Sequence, residues 1–478
     1  MVTTLCIIAI LVTALAAIVI LRTILFKPLA VDKPMPAKIV ADKDRAVRNL
    51  SGMIQIPTVS YTDKNLEDIK VFSMFKDFLE KTYPFVHTHC VSIKTGEKGI
   101  LYHWCGKNAA NPVVLMAHYD VVPAQGAWEK PPFSGVVENG VIWGRGTLDT
   151  KGTVCGILEA AEQLLAQGFR PDKDIYIAFA GDEETDGSSC QEIVSYFKSQ
   201  GIRPGLVLDE GGAVVENVFP GVPGQCALIG IAEKGCLDIK AVLESSGGHA
   251  STPPVHTVCG ELARAMEAVE KHPFKAQLTK PVREMFHILG RHSNFGYRMI
   301  FANLWIFWPL LQYICRKSGG ELNAMVRTTC AITIMEGSNA YNVLPPKASF
   351  GINIRLLGQD SISSAVGYLK KVMKNEKIQL QVVEGSQPSV CSQTGGEAWK
   401  HLENTIQKIW PKALVSPYLM MACSDSRFYG EITDVIYRFS PMTLSKEERG
   451  MMHGNNERIP VETLVNTVKF YLEFIKGC

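Results

Sequence analysis

From about Asp42 onward, the chain alternates short apolar, β-branched runs with longer stretches of helical pattern. The runs PVVLMAH, DIYIAFA and GLVLDE have the length of strands, and GTVCGILEAAEQLLAQG has the length and pattern of a helix. Strands separated by helices predict an α/β fold with a mostly parallel sheet covered on both faces. In such sheets ligands bind at the carboxyl ends of the strands, so polar residues there are the first candidates for a functional site.

A different order of elements is found between about Lys234 and Glu384, where strand, helix, two strands, helix and strand follow one another. This order predicts a ferredoxin-like α+β unit inserted into the α/β domain. The predicted division of the chain is residues 1–40 for the N-terminal segment and linker, 41–233 for the first part of a catalytic domain, 234–385 for an inserted lid or dimerisation domain, and 386–478 for the second part of the catalytic domain.

The inserted unit contains a long apolar segment from Phe286 to Cys315. Arg291, Arg298 and Pro309 interrupt it, so a transmembrane helix is not expected there. The segment predicts a lid or a membrane-facing patch, with ordinary packing inside the inserted domain as the alternative.

The N-terminus carries 17 uncharged, mostly apolar residues from Leu5 to Leu21, which is close to the length of a membrane span. An uncleaved anchor is favoured over a signal peptide because the basic region that precedes a signal peptide's apolar core is missing, although Ala14 to Ala16 resembles a cleavage site. The orientation is open, because the glycosylation sequon at Asn49 favours a lumenal enzyme and the charges after the span favour a cytosolic one. Those charges are Arg22, Lys27, Lys33 and Lys38.

Composition excludes some classes of protein. The 49 basic and 47 acidic residues give a net charge of +2, so no overall field attracts nucleic acid and no nucleic-acid partner is expected. The 13 cysteines include no CxxC pair, which argues against a thiolate zinc module and gives little support to a disulfide framework.

Three carboxylates, Asp182, Glu183 and Glu184, crowd together in FAGDEETDG, directly after a predicted buried strand. Like charges repel there, and burying each one costs several kcal/mol unless a cation or hydrogen bonds compensate. The motif therefore predicts a nearby cation, with a solvated acidic turn as the alternative.

Similar signals stand at three other predicted strand ends or turns. His118 ends a strand in MAHYD, and Asp120 can turn back to hold its imidazole. Asp149 follows two glycines in GRGTLDTKG, where it could also be a simple helix cap, and Asp209 lies in LVLDEGG. Four such stretches within about a hundred residues favour one shared metal site over four separate structural roles.

Together with IPTVS, PPFSG, SGGHAS, NVLPP and HGNNERI, these stretches resemble the family of di-zinc metallopeptidases that includes carboxypeptidase S, the aminoacylases and acetylornithine deacetylase. The resemblance covers almost the whole chain after about residue 45. The N-terminal apolar run and the apolar segment of the inserted unit resemble the carboxypeptidase S branch, which includes the N-fatty-acyl-amino acid synthase/hydrolase. The resemblance implies a zinc peptidase fold with two Zn²⁺ ions per chain.

The resemblance also implies a ligand set, in which Asp149 bridges the two ions. His118 and Asp209 would complete the shell of one ion, and Glu184 and His453 that of the other. Such shells of imidazole and carboxylate suit zinc with an open coordination position.

Catalytic roles follow from the same resemblance. Glu183 would take a proton from the attacking water and pass it to the leaving amine, with Asp182 left as a structural residue. Asp120 would orient its metal-binding histidine. His249 would steady the tetrahedral oxyanion, often across a dimer interface, so a homodimer is a possible partner arrangement.

Residues that bind the substrate are implied in the second half of the chain. Asn342 and Arg355 match residues that grip the substrate's α-carboxylate, and Arg427 is a further candidate that could instead form a surface ion pair. The predicted substrate is thus a small molecule with a free carboxylate.

The function expected from these residues is zinc-dependent hydrolysis of N-acyl amino acids, and the apolar segment favours a long acyl chain. An enzyme of this kind can also condense fatty acid and amino acid. The alternative is a carboxypeptidase or dipeptidase, and an inactive receptor or scaffold is a remote third class because all six key positions are occupied. The resemblance places the enzyme at a membrane or in the secretory pathway, with a lumenal or extracellular catalytic domain.

Overall fold

The computed structural model describes residues 1–29, 34–217 and 219–478; Lys33 and part of the predicted linker lie outside these ranges. Two short 3₁₀ segments, Lys64–Leu66 and Asp425–Glu431, accompany the α-helices. The α-helices are α1 Val2–Leu25, α2 Lys43–Ile54, α3 Ile69–Thr82, α4 Pro84–His89, α5 Lys151–Ala166, α6 Ser188–Ser199, α7 Val258–Lys271, α8 Lys280–His292, α9 Phe295–Ala302, α10 Leu304–Ser318, α11 Gly320–Val326, α12 Ile362–Met373, α13 Glu397–Ile409, α14 Lys446–Met451 and α15 Val461–Lys476.

The strands form one large sheet and three smaller ones. They are β1 Val91–Ile93, β2 Ile100–Trp104, β3 Asn108–His118, β4 Val137–Glu138, β5 Val141–Trp143, β6 Lys173–Ala180, β7 Leu206–Glu216, β8 Gln225–Glu233, β9 Gly235–Glu244, β10 Gly248–His249, β11 Thr329–Glu336, β12 Val343–Leu344, β13 Lys347–Leu356, β14 Gln379–Gly385, β15 Leu414–Met420, β16 Ile436–Leu444 and β17 Arg458–Pro460.

The large sheet has eight strands in the order β1-β2-β6-β3-β7-β16-β8-β15. Its centre is parallel, because β3 pairs with β6 and β7, and β7 pairs with β16, all in the same direction. Antiparallel pairs join β1 to β2, β2 to β6 and β16 to β8. This arrangement confirms the predicted α/β fold with a mostly parallel sheet.

Helices cover both faces of the large sheet. Along β3, Leu115 packs into the main core with α5 and α15, whereas its neighbours Val114 and Met116 pack into a second core with α6. Alternate residues of a strand point to opposite faces, so a strand buried on both faces reads as a continuous apolar run. The carboxyl ends of β3, β6 and β7 then lie side by side, which brings the polar residues that follow them together.

A second sheet has four strands in the order β11-β13-β9-β14, all antiparallel. Helices α7 and α12 pack on it around Leu262 and Leu369. This is the strand order of a ferredoxin-like unit, as the order of elements predicts. The domain boundaries and the role of this unit as a lid or dimerisation domain stay predictions.

The apolar segment from Phe286 to Cys315 forms the end of α8, all of α9 and most of α10, with Pro309 inside α10. Among the described residues, only α1 is long and apolar enough to cross a membrane, a test that a signal sequence near the N-terminus also passes. The expectation that the segment is not a transmembrane helix therefore agrees with its division into short helices.

The last turns of α1 dock on this segment. The Arg22 guanidinium donates to the carbonyl of Ala302 at 3.1 Å, and Asn303 Nδ2 donates to the carbonyl of Val19 at 3.2 Å. By contrast, most of the helix before Val19 is exposed. The helices of the apolar segment thus lie at the point where α1 joins the rest of the protein.

The sequon at Asn49 lies inside α2 rather than in a loop. Asn49 Nδ2 donates to the buried carboxylate of Glu159 at 2.6 Å. Because this amide nitrogen is engaged in the fold, the sequon gives no support to a lumenal orientation.

Candidate metal centre

The candidate metal centre is built around His118, the last residue of β3, which is 1% exposed. Its Nε2 lies 3.0 Å from Asp149 Oδ1, and its Nδ1 lies 3.0 Å from the backbone carbonyl of Asp120 and 3.3 Å from the carboxylate of the same residue. A metal-binding histidine usually gives its second nitrogen to such an acceptor, which fixes the tautomer and the orientation of the ring.

Asp149 lies between two histidines, with one carboxylate oxygen toward each. Its Oδ2 is 3.1 Å from His453 Nε2, and that nitrogen is 3.0 Å from Glu184 Oε2. The structure thus brings together four of the predicted ligands, His118, Asp149, Glu184 and His453. Their role as ligands stays a prediction.

The fifth predicted ligand, Asp209, lies outside this cluster, and the next residue, Glu210, takes that place. Glu210 Oε1 is 3.3 Å from His118 Nε2, whereas the carboxylate of Asp209 accepts the backbone N–H of Ser426 at 3.0 Å. The geometry therefore favours Glu210 over Asp209 at this position, and the ligand role of either residue stays a prediction.

The physical reason lies in β7, which continues to Glu216 instead of ending near Asp209. Its pairing with β16 shifts between Asp209 and Gly212, so Glu210 and Gly211 form an irregularity in the ladder. Because consecutive side chains in a strand point to opposite faces, only one of the two adjacent carboxylates can face His118.

The acidic motif after β6 is held by backbone contacts. The carboxylate of Asp120, which is fully buried, accepts the backbone N–H groups of Glu183 and Glu184, each at 3.1 Å, and the hydroxyl of Ser60 at 2.6 Å. Glu183 Oε2 then lies 4.0 Å from His118 Nε2. Asp120 thus positions both glutamates as well as the histidine.

Asp182 points away from this cluster. Its carboxylate accepts bonds from the hydroxyls of Ser188 and Ser189, both at 2.5 Å, in the first turn of α6. This placement matches the structural role expected for Asp182.

Electrostatics at the centre favour a cation. Burial raises the pKa of Glu183, Glu184 and Glu210, in the case of Glu210 to about 7. Burial lowers the pKa of His118, but the neighbouring carboxylates, with Glu210 first among them, outweigh burial and raise it. These carboxylates lie close together, so each one disfavours the charged form of its neighbours. A bound cation would stabilise their charged forms.

The donor set also fits a metal ion. One ligand atom from each of His118, Glu183 and Glu210 lies within 4.8 Å of the others, and the same holds for His118, Asp149 and Glu184. Glu184 Oε1 is buried and has no hydrogen-bond partner among the described residues. Imidazole and carboxylate ligands around an open position are typical of catalytic zinc.

Sequence reasoning missed Glu457, which holds the loop that carries Asp149. Its fully buried carboxylate accepts the backbone N–H groups of Gly146, Leu148 and Asp149 at 2.8 to 3.2 Å, and Arg145 Nη1 lies 2.7 Å from it. In the printed sequence this glutamate stands in NNERI, a polar stretch that is typical of a surface loop. Only the pairing of β5 with β17 brings it to the loop.

Of the predicted substrate residues, Arg427 lies in the segment 423–427 and Arg355 contacts this segment. Arg355 Nη1 donates to Cys423 Sγ at 3.5 Å, and Arg427 Nη1 donates to the carbonyl of Ser424 at 2.9 Å. Burial lowers the pKa of Arg427, but nearby acidic groups, with Asp425 first among them, outweigh burial and raise it. Arg427 is half-buried and forms no ion pair with the described residues, and its role in substrate binding stays a prediction.

His249 and Asn342 lie together on the small sheet formed by β10 and β12. His249 pairs with Val343, and the carbonyl of Asn342 accepts the N–H of Ala250 at 3.0 Å. Both residues are exposed, and no hydrogen bond or ion pair within residues 1–29, 34–217 and 219–478 joins either to the metal centre.

The chain is similar to known proteins over most of its length. The model of peptidase family M20/M25/M40 matches residues 114–477. An N-fatty-acyl-amino acid synthase/hydrolase of Xenopus tropicalis is 35% identical over 92% of this chain and 87% of its own length. Carboxypeptidase S of Saccharomyces cerevisiae is 28% identical over 91% of this chain and 84% of its own length.

A solved structure shows the same fold. The M20 family metallo-carboxypeptidase from Sulfolobus solfataricus has a TM-score of 0.65 to this chain at 18% identity, and the match covers 90% of this chain and 98% of the other.

Proposed function

Because the chain belongs to peptidase family M20/M25/M40 and is thus a metallohydrolase, we propose that it hydrolyses the amide bond of N-acyl amino acids. The observation that carries this proposal is the position of Asp149 between His118 and His453. A hydrolytic centre, together with the half-buried guanidinium groups of Arg355 and Arg427 as donors to a carboxylate, suits an amide beside a free carboxylate. The relative from Xenopus tropicalis, an N-fatty-acyl-amino acid synthase/hydrolase, supports this substrate class.

Two zinc ions would be held by two overlapping sets of ligands. His118 and Glu210 would hold one, Glu184 and His453 the other, and Asp149 would contact both. When bound, such ions lower the pKa of a water molecule and polarise the scissile carbonyl.

Glu183 is the proposed base of the reaction. It lies at the edge of the cluster, 4.0 Å from His118 Nε2, and burial raises its pKa, which makes its carboxylate a stronger base. It can accept a proton from the attacking water and donate it to the leaving amine. Since each step is reversible, the same residues would also condense a fatty acid with an amino acid when both are abundant.

Arg355 is the proposed partner of the substrate's α-carboxylate. Among the described residues, its guanidinium donates only to the thiol of Cys423, a weak acceptor, so it keeps donors for a ligand. Arg427 already donates to the carbonyl of Ser424 and faces Asp425, which makes it the second candidate.

Replacing Arg355 with alanine should reduce kcat/KM for a free-acid substrate by about 30-fold or more, because a charge-assisted contact in a partly buried site is lost. The measurement compares an N-acyl amino acid with its carboxamide in wild type and in Arg355→Ala, at matched zinc content. Wild type should prefer the free acid, and the variant should lose most of that preference.

The control is Arg427→Ala, measured in the same way. Equal discrimination by wild type and Arg355→Ala, with loss of discrimination in Arg427→Ala, would move the assignment to Arg427. Turnover of dipeptides but of no N-acyl amino acid would favour the alternative function of a dipeptidase or carboxypeptidase, for which the similarity to carboxypeptidase S is the supporting observation.

His249 is proposed to act on the oxyanion of the partner subunit in a homodimer. Its exposure, and its lack of a bond to the metal centre in the part of the chain that the structure describes, agree with a role across an interface. Tyr341 and Val343, on either side of Asn342, are also exposed and would supply apolar area to such an interface.

Co-expression of His249→Ala with Glu183→Gln should restore activity that neither variant has alone. In a heterodimer, one site receives an intact His249 from the Glu183→Gln chain, so a random mixture should reach about a quarter of wild-type activity. A mixture as inactive as the two separate variants would place His249 in the site of its own chain or outside the site.

Helix α1 is proposed to anchor the enzyme in a membrane. Leu5, Ile10 and Leu11 are each at least 60% exposed, and only Val19 and Thr23 of this helix are buried. The exposed apolar length fits a bilayer better than water.

A further inference from the structure

A large apolar cavity lies among helices α8 to α11, next to the end of β15. Its volume is about 990 Å³, at the upper end of the range for small-molecule sites. The side chains that line it are mostly apolar, among them Phe219, Phe286, Leu289, Phe301, Ile314 and Met421. The mechanism described above uses none of them.

Two residues of the cavity wall stand close in sequence to residues of the candidate site. Met421 lies two residues before Cys423, the contact of Arg355, and Arg449 lies four residues before His453. Met420 packs against Gly211, the neighbour of Glu210, so closely that a Cβ at Gly211 would come within 2.7 Å of its sulfur. Since consecutive Cα atoms are about 3.8 Å apart, these short separations link the cavity wall to the segment that Arg355 contacts and to the segment that carries His453.

Another part of the wall leads to α1. Phe26, just after α1, packs on the apolar cluster that surrounds the cavity and contacts the ring of His287 at 5.4 Å between centroids. The guanidinium carbon of Arg291 lies 4.6 Å from the centroid of the Phe26 ring. The apolar cluster around the cavity therefore contacts the end of α1, and the cavity wall also continues into the segments that precede Cys423 and His453.

We propose that this cavity binds the aliphatic acyl chain of the substrate, an inference that rests on the proposed function and assigns that chain a place in the fold. An apolar, partly enclosed volume gains free energy from every methylene that it removes from water. The amide then lies at the metal centre, the carboxylate at the arginines, and the chain points away from both. The position next to α1 gives a chain that leaves a bilayer a short path to the site.

The first test is the dependence of kcat/KM on chain length, from N-acetyl to N-palmitoyl amino acids, with full-length enzyme in phosphatidylcholine nanodiscs and substrates below their micelle concentration. Each buried methylene contributes roughly fourfold, so the longest chains should exceed the acetyl substrate by about 100-fold or more. A flat response would overturn the cavity assignment and leave the amidase function intact. No turnover at any length would instead overturn the proposed function.

A matched pair of variants locates the effect. Ile314→Trp fills part of the cavity, and Leu310→Trp makes the same type of change one turn earlier on α10 at a residue outside the lining; the two side chains are 40% and 48% exposed. Ile314→Trp should lower kcat/KM for the palmitoyl substrate by about tenfold or more and leave the acetyl substrate unchanged. Leu310→Trp should keep the wild-type profile, and identical profiles for the two variants would contradict the proposal.

Photocrosslinking gives a readout that does not depend on turnover. A 16-carbon fatty acid with a diazirine near its methyl end should label peptides from residues 285–326 or 418–421, and palmitate but not acetate should compete. Labelling confined to other segments would overturn the assignment whatever the activity.

Discussion

Glu183→Gln should lower kcat by about three orders of magnitude while the protein keeps its metal, because the amide preserves the shape of the side chain and removes the base. General acid–base catalysis contributes typically 10²- to 10⁴-fold, and Glu183 is proposed to act in both directions of proton transfer. The measurement pairs steady-state kinetics on an N-acyl amino acid with metal analysis of the same preparation.

Metal analysis distinguishes a catalytic base from a metal ligand at Glu183. This residue lies close enough to His118 and Glu210 to be a ligand, with one atom of each residue within 4.8 Å of the others. Loss of metal together with activity in Glu183→Gln would assign it to the ligand shell. The matched control is Glu184→Gln next to it, which should weaken metal binding directly because Glu184 Oε2 lies 3.0 Å from His453 Nε2.

The central sheet was predictable because its strands are buried on both faces. Val114, Leu115 and Met116 alternate between two cores, so each position must be apolar, and the run stands out in the sequence. The inserted unit was predictable from the order of its elements. Its position relative to the catalytic residues depends on side-chain contacts that no periodicity records.

Residues of the centre were predictable where a strand visibly ends. His118 is the last residue of β3, and Glu183 and Glu184 follow β6 within four residues, so each is marked by a change from apolar to polar sequence. Glu457 had no such mark, because its function is to accept backbone N–H groups from a loop some 300 positions earlier in the chain. Long-range backbone contacts of this kind leave no local pattern.

The apolar segment around α9 and α10 shows a different limit. Its composition is compatible with a lid, a membrane-facing patch and ordinary packing, because all three need apolar side chains. The structure adds an observable that composition lacks, a cavity of about 990 Å³ between the segment and β15. The same helices hold the end of α1, which joins the cavity to the proposed anchor.

The adjacent pair Asp209 and Glu210 gives the second large effect. Glu210→Gln should lower the affinity for one metal ion by more than the roughly 10- to 100-fold known for outer-shell partners, since it removes the charge of a proposed ligand 3.3 Å from His118 Nε2. Activity should fall with the metal and recover in part when zinc is added in excess.

Asp209→Asn is the matched control, because it makes the same change of carboxylate to amide one residue earlier. Its remaining carbonyl oxygen can still accept the N–H of Ser426, so metal content and the response to a chelator should stay close to wild type. Isothermal titration of zinc into each apoprotein measures both affinities under the same conditions. Metal loss in Asp209→Asn with metal retained in Glu210→Gln would mean that the strand register at β7 differs from the one in the structure, and that Asp209 is the ligand after all. With the observed shift of the β7 ladder between Asp209 and Gly212, only Glu210 faces the histidine, and the zinc affinity should follow that geometry.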